Sequence, residues 1–400
     1  MPVAATPPLT RSSRSITWAA HAAFLPIGMV TVLLGPMLPI LAERWALTYS
    51  QSGYLFTAQF VGATVGVTVS GGAIRRLGYR AAMIMGLALT AAGTSTLPRL
   101  PFAGAIFAIA LYGVAIGMMG PTCNLLVAHI HSDQRGAALN LLNFSWSIGA
   151  VSCPLLVAAA AHAGHTSLLL QTLAAVTFLI MVMVATIVPR GIGMQPQPLG
   201  GSQSASKLLW SRPGLFVLCA LFSLYVGTEN IVGGWLASYA KLSSSAVSTP
   251  IVTSSFFYFA LMVGRLLAPA ILKTMLETTL ARIGLGIGIL GTIGLVRGHT
   301  MASIVGNALL TGLGLSSVFP IVIAMLSRTF GPDSPRAAPV VFNMSNLGGA
   351  SLPFLVGYTS EQLGSLRAGL GIAIITTGIM LGLFCFSVPF GFARERNHTG

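Results

Sequence analysis

Asn143-Phe-Ser-Trp-Ser-Ile-Gly-Ala150 and Asn343-Met-Ser-Asn-Leu-Gly-Gly-Ala350 lie 200 residues apart in a chain of 400 and share Asn, Ser, Gly and Ala in one frame. Pro154 and Pro353 follow the two copies. Gly113 and Pro121 upstream are matched by Gly312 and Pro320, each 199 residues on. Isolated Gly or Ala matches arise from composition alone; a shared Asn and Ser in register mark a duplicated half. Both copies sit inside long apolar runs. The chain is 54% hydrophobic and 7% charged, with a mean hydropathy of +0.84, whereas a soluble domain carries about a quarter charged residues. Water-soluble folding is excluded. Runs of about 20 apolar residues are long enough to cross a bilayer as helices, which pair their own backbone groups.

The expected fold is an all-α membrane protein of twelve transmembrane helices in two six-helix pseudo-repeats. The helices are read at 17–41, 50–73, 79–97, 102–129, 136–162, 166–188, 213–240, 248–272, 277–296, 300–328, 336–362 and 367–392. Residues 1–16 read as a disordered cytoplasmic tail, 17–188 and 213–392 as the two bundles, 189–212 as a cytoplasmic linker rich in Gly, Pro, Gln and Ser, and 393–400 as a second tail. Arg44, Arg99, Lys241, Arg297 and Arg367 fall on one side of this topology and Arg265 within the eighth helix. The other basic residues share the side of the termini. The positive-inside rule puts that side, with both termini, in the cytoplasm of a cell membrane. The net charge of +14 therefore belongs to a lipid bilayer partner, not to nucleic acid. The four cysteines all fall in apolar segments and read as packing residues.

One acid stands apart. Glu229 lies mid-way along the seventh apolar run, Ser223-Leu-Tyr-Val-Gly-Thr-Glu-Asn-Ile-Val-Gly-Gly-Trp-Leu-Ala-Ser-Tyr-Ala-Lys241, while the other acids can be placed in loops or tails. A charge at bilayer depth costs about 2.5–3.5 kcal/mol and so must face protein, water or a partner. Three readings stand: a protonatable carboxylate in a central cavity, a substrate-binding carboxylate that accepts hydrogen bonds from solute hydroxyls, or a structural acid held by hydrogen bonds. Tyr225 shares its helical face at i,i+4; Asn230 lies about 100° round the helix. Gly233 and Gly234 permit a bend or a close approach. Trp235 is a stacking ring or an interfacial one, and Tyr239 beside Lys241 an interface anchor.

Asn140, Asn143, Asn343 and Asn346 offer donor and acceptor together, as a hydroxyl-rich ligand requires; interhelical bonding is the alternative for each. Gln59, Trp146 and Tyr258 complete the candidate binding set, and packing is again the alternative. Asn124 and Asn307 are further polar residues at depth. Arg265 is expected not to pair with Glu229. From the cytoplasmic helix ends, Glu229 is roughly 24 Å deep and Arg265 roughly 10 Å at 1.5 Å per residue. A latch to helix C-termini or to the cytoplasmic loops is expected for Arg265 instead. His129, His131, His162 and His165 lack carboxylate or Cys support and read as loop residues. No Gly-Lys-Ser/Thr phosphate loop occurs, which argues against ATP-driven pumping, and no hydrolytic motif is supported. No cofactor or metal, no enzyme activity and a monomer are expected.

Twelve helices, a central linker and a repeat between halves resemble the major facilitator superfamily over nearly the whole chain. Gly71-Gly72-Ala73-Ile74-Arg75-Arg76-Leu77-Gly78-Tyr79-Arg80 is similar to its loop signature, with Arg75 where the family usually has Asp, and Gly264-Arg265 looks like a degenerate second copy. The resemblance implies gating roles for Arg75, Arg76, Arg80 and Arg265. Gly35-Pro36-Met37-Leu38-Pro39, Leu139-Asn140-Leu141-Leu142-Asn143-Phe144, Glu229 to Trp235 and Gly312 to Pro320 are most similar to the fucose/glucose–proton symporter group. That implies alternating-access transport of a small polar solute, a sugar, with Glu229 as the proton-coupling residue. The acids that the group carries in its first half are absent here, and the antiporter signature of the fifth helix is incomplete. An exporter or carrier of an amphiphilic, lipid-like solute is the alternative within transport; a non-transporting membrane sensor is the alternative outside it.

Overall fold

A computed structural model describes residues 11–132, 134–194, 212–243 and 248–386. The expected tail at 393–400, most of the tail at 1–16 and most of the linker at 189–212 lie outside the described residues. Everything regular within them is helical: α1 (Arg11–Arg44), α2 (Tyr49–Thr96), α3 (Phe102–Ile130), α4 (Arg135–His162), α5 (Thr166–Ile187), α6 (Pro213–Lys241), α7 (Ser248–Ile271), α8 (Glu277–Arg297), α9 (Met301–Leu315), α10 (Val318–Phe330), α11 (Ser334–Gln362) and α12 (Leu366–Phe386). Eleven helical segments among the described residues are long and apolar enough to cross a membrane.

Two of those segments are not simple rods. The segment Tyr49–Arg99 counts as one, yet it contains Gly78 at φ 81, ψ 169, outside helical space. On one side of Gly78, Gln59 packs on Gly113 and Ala63 on Gly117, so this part runs parallel to α3. On the other side Gly86 packs on Met119 and Gly93 on Ala108, so that part runs antiparallel to it. The chain therefore reverses at Gly78. The expected turn at 74–78 shrinks to one glycine, whose missing Cβ makes this backbone accessible. Tyr79 N–H just beyond the turn donates to Ile192 O at 3.0 Å. The second interrupted segment is Met301–Phe330, expected as one helix over 300–328. It divides into α9 and α10 at Ser316–Ser317, next to Pro320, which has no N–H to give the Ser316 carbonyl.

Glycines let helices approach closely elsewhere. Gly149 of α4 packs on Leu25 of α1, and Gly348 of α11 on Ser223 of α6. Gly113 of α3 faces the Gln59 backbone, and Gly312 of α9 that of Phe257. Such small-residue seams are how helices associate where lipid is as apolar as leucine.

One apolar core, around Phe24, Met83, Met118, Leu126 and Leu142, is built from α1–α5 alone. A larger one joins α1–α5 to α6–α12, with Leu33, Leu38, Phe56 and Tyr112 in one cluster with Phe222, Trp235, Phe257 and Leu315. The joint is tight at the end that carries Lys241. There Gly35 abuts Gly233 and Gly234, Phe56 covers Gly234, and Gly357 meets Tyr49. Lys241 Nζ donates to Glu43 Oε2 at 2.6 Å and Ser50 N–H to Glu361 Oε2 at 2.8 Å.

Candidate functional site

Glu229 lies mid-way along α6 with its side chain 12% exposed, and it is paired with Arg265 of α7. Arg265 Nη2 is 3.5 Å from Glu229 Oε2 and donates to Tyr225 Oη at 2.8 Å. This corrects the expected separation. α6 and α7 are joined at the Lys241 end by a short connection, so that end sets their register. Counted from Lys241 and Ser248, the two positions differ by about five residues, roughly 7.5 Å of rise, which an arginine side chain spans. Counting from the opposite ends assumed a common baseline for two helices of unequal length. Arg265 thus lies beside Glu229, whereas Arg75, Arg76 and Arg80 flank the reversal at Gly78. Arg75 and Arg76 are exposed and Arg80 half-exposed on either side of the Gly78 reversal.

Pairing explains how both charges are tolerated. The other described acids, Glu43, Glu277, Asp333 and Glu361, lie at or next to helix ends. Here each charge cancels the other, and removing either would leave one stranded at depth. Aromatic faces complete the cage. The Arg265 guanidinium carbon is 5.7 Å from the Trp146 ring centroid and 5.6 Å from that of Phe319, within cation–π range. Phe319 also packs on Tyr225, with centroids 5.9 Å apart. Trp146 belongs to α4, so the cage draws on α4 as well as on α6, α7 and α10. Its Nε1–H donates to Thr31 Oγ1 at 3.4 Å.

The remaining expected residues divide. Tyr258 is buried beside Gly233, its hydroxyl occupying the space that a side chain at 233 would fill. Asn346 Nδ2 and Asn343 Oδ1 are buried without hydrogen-bond partners, as is Arg265 Nε. Asn343 Nδ2 of α11 reaches Thr68 Oγ1 of α2 at 3.3 Å. Asn140 and Asn143 are exposed, and Asn143 Nδ2 donates to Leu139 O at 2.8 Å.

Others spend their polar groups internally. Gln59 is buried, donates to Thr31 O at 3.0 Å and accepts from Tyr112 Oη at 3.4 Å. Asn230 bonds back to Val226 O at 2.8 Å. Trp235 is 1% exposed, donates to Pro353 O at 3.0 Å and packs on Phe56; it does not stack on a solute in this conformation. Tyr239, expected at an interface, is buried with its hydroxyl on the Leu295 and Gly298 carbonyls at the end of α8.

Three contributors escaped sequence reasoning. Thr31 and Phe319 have no composition signal, being one threonine and one phenylalanine among many. The Arg265 pairing had one, an intramembrane arginine within a helix of an intramembrane glutamate. A groove of about 610 Å³ lies elsewhere, between the second part of α2 and α5, lined by Ala88, Ala92, Ser95, Gln171 and Phe178. It touches none of these groups.

A putative glucose/galactose transporter of Helicobacter pylori strain J99 is 24% identical over 94% of this chain and 96% of its own length. Sodium-dependent glucose transporter 1A of Mus musculus is 24% identical over 55% of this chain, which spans 60% of that protein's length. The crystal structure of a D-xylose-proton symporter matches with a TM-score of 0.79 at 14% identity, over 94% of this chain and 97% of that one. Residues 21–332 match the Major Facilitator Superfamily profile. With a helical bundle of that fold and most of its length inside the profile, the chain belongs to the Major Facilitator Superfamily.

Proposed function

We propose that the chain carries a neutral sugar across a cell membrane by alternating access, driven by a co-transported proton or sodium ion that is accepted at Glu229. The observation that carries this is the Glu229–Arg265–Tyr225 cluster at membrane depth, with Trp146 of the opposite bundle over the guanidinium. A solute held there touches both bundles, as a rocking carrier requires. Arg265 Nε, Asn343 Oδ1 and Asn346 Nδ2 provide donors and an acceptor left without partners, which suits a ligand rich in hydroxyls. The relatives named for glucose, galactose and xylose transport support the solute class, and their names supply both candidate ions.

We read twelve crossings in two repeats, residues 17–188 and 213–392 flanking the linker 189–212. The reversal at Gly78 supports two crossings within Tyr49–Arg99: a 48-residue helix would be about 72 Å long, more than twice the hydrocarbon thickness. The repeat is supported by similar seams, Gly113 on Gln59 with Gly312 on Phe257, and Gly149 on α1 with Gly348 on α6, the latter one residue out of the 200-residue register. The excess of basic residues puts both termini in the cytoplasm. The Lys241 end is then the outer one, closed here, while Asn140 and Asn143 stay exposed toward the cytoplasm. Arg75, Arg76 and Arg80 are the inner-gate residues of this reading. A single chain supplies both halves of the site, so a monomer suffices.

The test is uptake of labelled glucose, galactose and xylose into proteoliposomes, with an inward proton gradient, an inward sodium gradient or neither. Saturable uptake with accumulation under one gradient is expected, and loss of that accumulation in Glu229→Gln. No uptake of any of the three, or export of amphiphiles instead, rejects the reading.

A further inference from the structure

Arg265 is gripped from both halves of the molecule. On its own side, Nη2 holds Tyr225 Oη at 2.8 Å and Glu229 Oε2 at 3.5 Å. Across the joint the guanidinium lies over Trp146 at 5.7 Å. Trp146 is in turn fixed within its own bundle by Thr31 and by its backbone, which packs against Gly28 of α1. A shift of the guanidinium is therefore felt by the first bundle, and a change of charge at Glu229 is felt by the guanidinium.

The two partners respond differently to a cation. The guanidinium is never discharged, but a carboxylate is neutralised by a proton or a bound sodium ion. Once Glu229 is neutral, Arg265 keeps its charge and loses its anion. What remains are one hydroxyl and two aromatic faces, and cation–π attraction counts for most when the cation is desolvated. We propose that Arg265 is the transducer between ion and closure: cation binding at Glu229 releases the guanidinium onto Trp146, which tightens the contact between the bundles. This rests on the ion-coupled reading above.

The groups that face Glu229 are Tyr225 on α6, and Arg265 and Tyr258 on α7. The other charged or titratable side chains described on helices packed against α6 are remote in sequence from its middle contacts. Arg14, His21, Glu43 and Arg44 lie away from the middle of α1, Tyr49 and Tyr54 at the start of α2, Arg328 near the end of α10, Tyr358 and Glu361 toward the end of α11, and Arg367 and Cys385 at the start and end of α12.

The test uses the purified full chain and tryptophan emission, read as pH is lowered and as sodium replaces choline. A change with one of the two cations is expected in the wild type, and most of it should be lost in Trp146→Phe, in Glu229→Gln and in Arg265→Gln. No change with either cation, or a change that survives in Glu229→Gln or Arg265→Gln, overturns the proposal. Trp146→Phe keeps an aromatic face, so it also serves in transport should Arg265→Gln not fold. The ratio of its gradient-driven accumulation to its own equilibrium exchange of labelled sugar should fall several-fold below that of the wild type; an unchanged ratio overturns the proposal. A wild type that moves none of the sugars fails the functional reading, and the emission measurement then decides this inference alone.

Discussion

At the scale of single residues, the Glu229–Arg265 pair makes a stability claim that a double-mutant cycle can check. Breaking a fully buried pair by removing one partner costs about 3–5 kcal/mol. These side chains are 12% and 23% exposed, and solvent reduces that cost. Arg265→Met, which strands the carboxylate, should therefore destabilise by roughly 1–3 kcal/mol, seen as a lower thermal midpoint in detergent. Glu229→Gln with Arg265→Met, which strands nothing, should recover part of that loss, and transport should stay abolished. Additive losses in the double variant would mean that the two groups do not interact. Glu229 was legible in the sequence because an acid among apolar residues has few physical explanations. Its partner was not, because depth along a helix has meaning only against a shared baseline, and here the short connection at Lys241 supplies it. Gln59 was legible as buried and polar, but nothing in one sequence distinguishes an amide spent on Thr31 and Tyr112 from one left free for a solute.

At the scale of the element, α2 depends on one glycine. Its helical boundaries follow from apolar length, and the segments 50–73 and 79–97 were legible on that ground. How little chain the turn needs was not legible, because continuing the helix through 74–77 depends on packing against α3 and on the Tyr79–Ile192 hydrogen bond. At φ 81, ψ 169 a side chain is strained, and a Cβ on Gly78 would also stand 2.9 Å from Ile192 O. Gly78→Ala should cost about 1–3 kcal/mol and lower the thermal midpoint accordingly. Gly72→Ala is the matched control. It lies within the helix, a Cβ there meets nothing within 4 Å, and alanine is the better helix former by about 1 kcal/mol. Gly72→Ala should leave the midpoint unchanged or raise it. Equal losses at both positions would mean that backbone conformation at Gly78 is not what matters. The break between α9 and α10 has the same character: Gly312, Gly314 and Pro320 announce a weak helix, but only packing decides that it parts at Ser316–Ser317.

At the scale of the whole molecule, the 200-residue register between Asn143–Ala150 and Asn343–Ala350 was legible in the sequence, whereas the conformation was not. The same sequence must support closure at either end in turn, so no local pattern can say which end is shut. The contacts at the Lys241 end say so here, and they point to the glycine seam rather than to its ion pair. Lys241 and Glu43 are both solvent-exposed, and pairs of that kind contribute little. Gly35, by contrast, faces the Gly233 carbonyl and lies where an added Cβ would be 3.0 Å from Gly234 Cα. That contact exists only while this end is closed, so a valine at 35 penalises one state and spares the other. Overpacking of this sort costs typically about 1–3 kcal/mol, which changes the ratio of the two states by roughly 5- to 150-fold. Gly35→Val should therefore hold the Lys241 end open. Ser52, 3% exposed between Ser50 and Gly53 at the joint with α11, provides the reporter. In a background with no other cysteine, Ser52→Cys should react slowly with an impermeant maleimide, and markedly faster once Gly35→Val is added. Transport should fall in the same variant while binding of sugar from the Lys241 side persists. If the thiol of the Ser52→Cys variant reacts at the same rate with and without Gly35→Val, the seam does not control closure, and the exposed ion pair at this end becomes the contact to test.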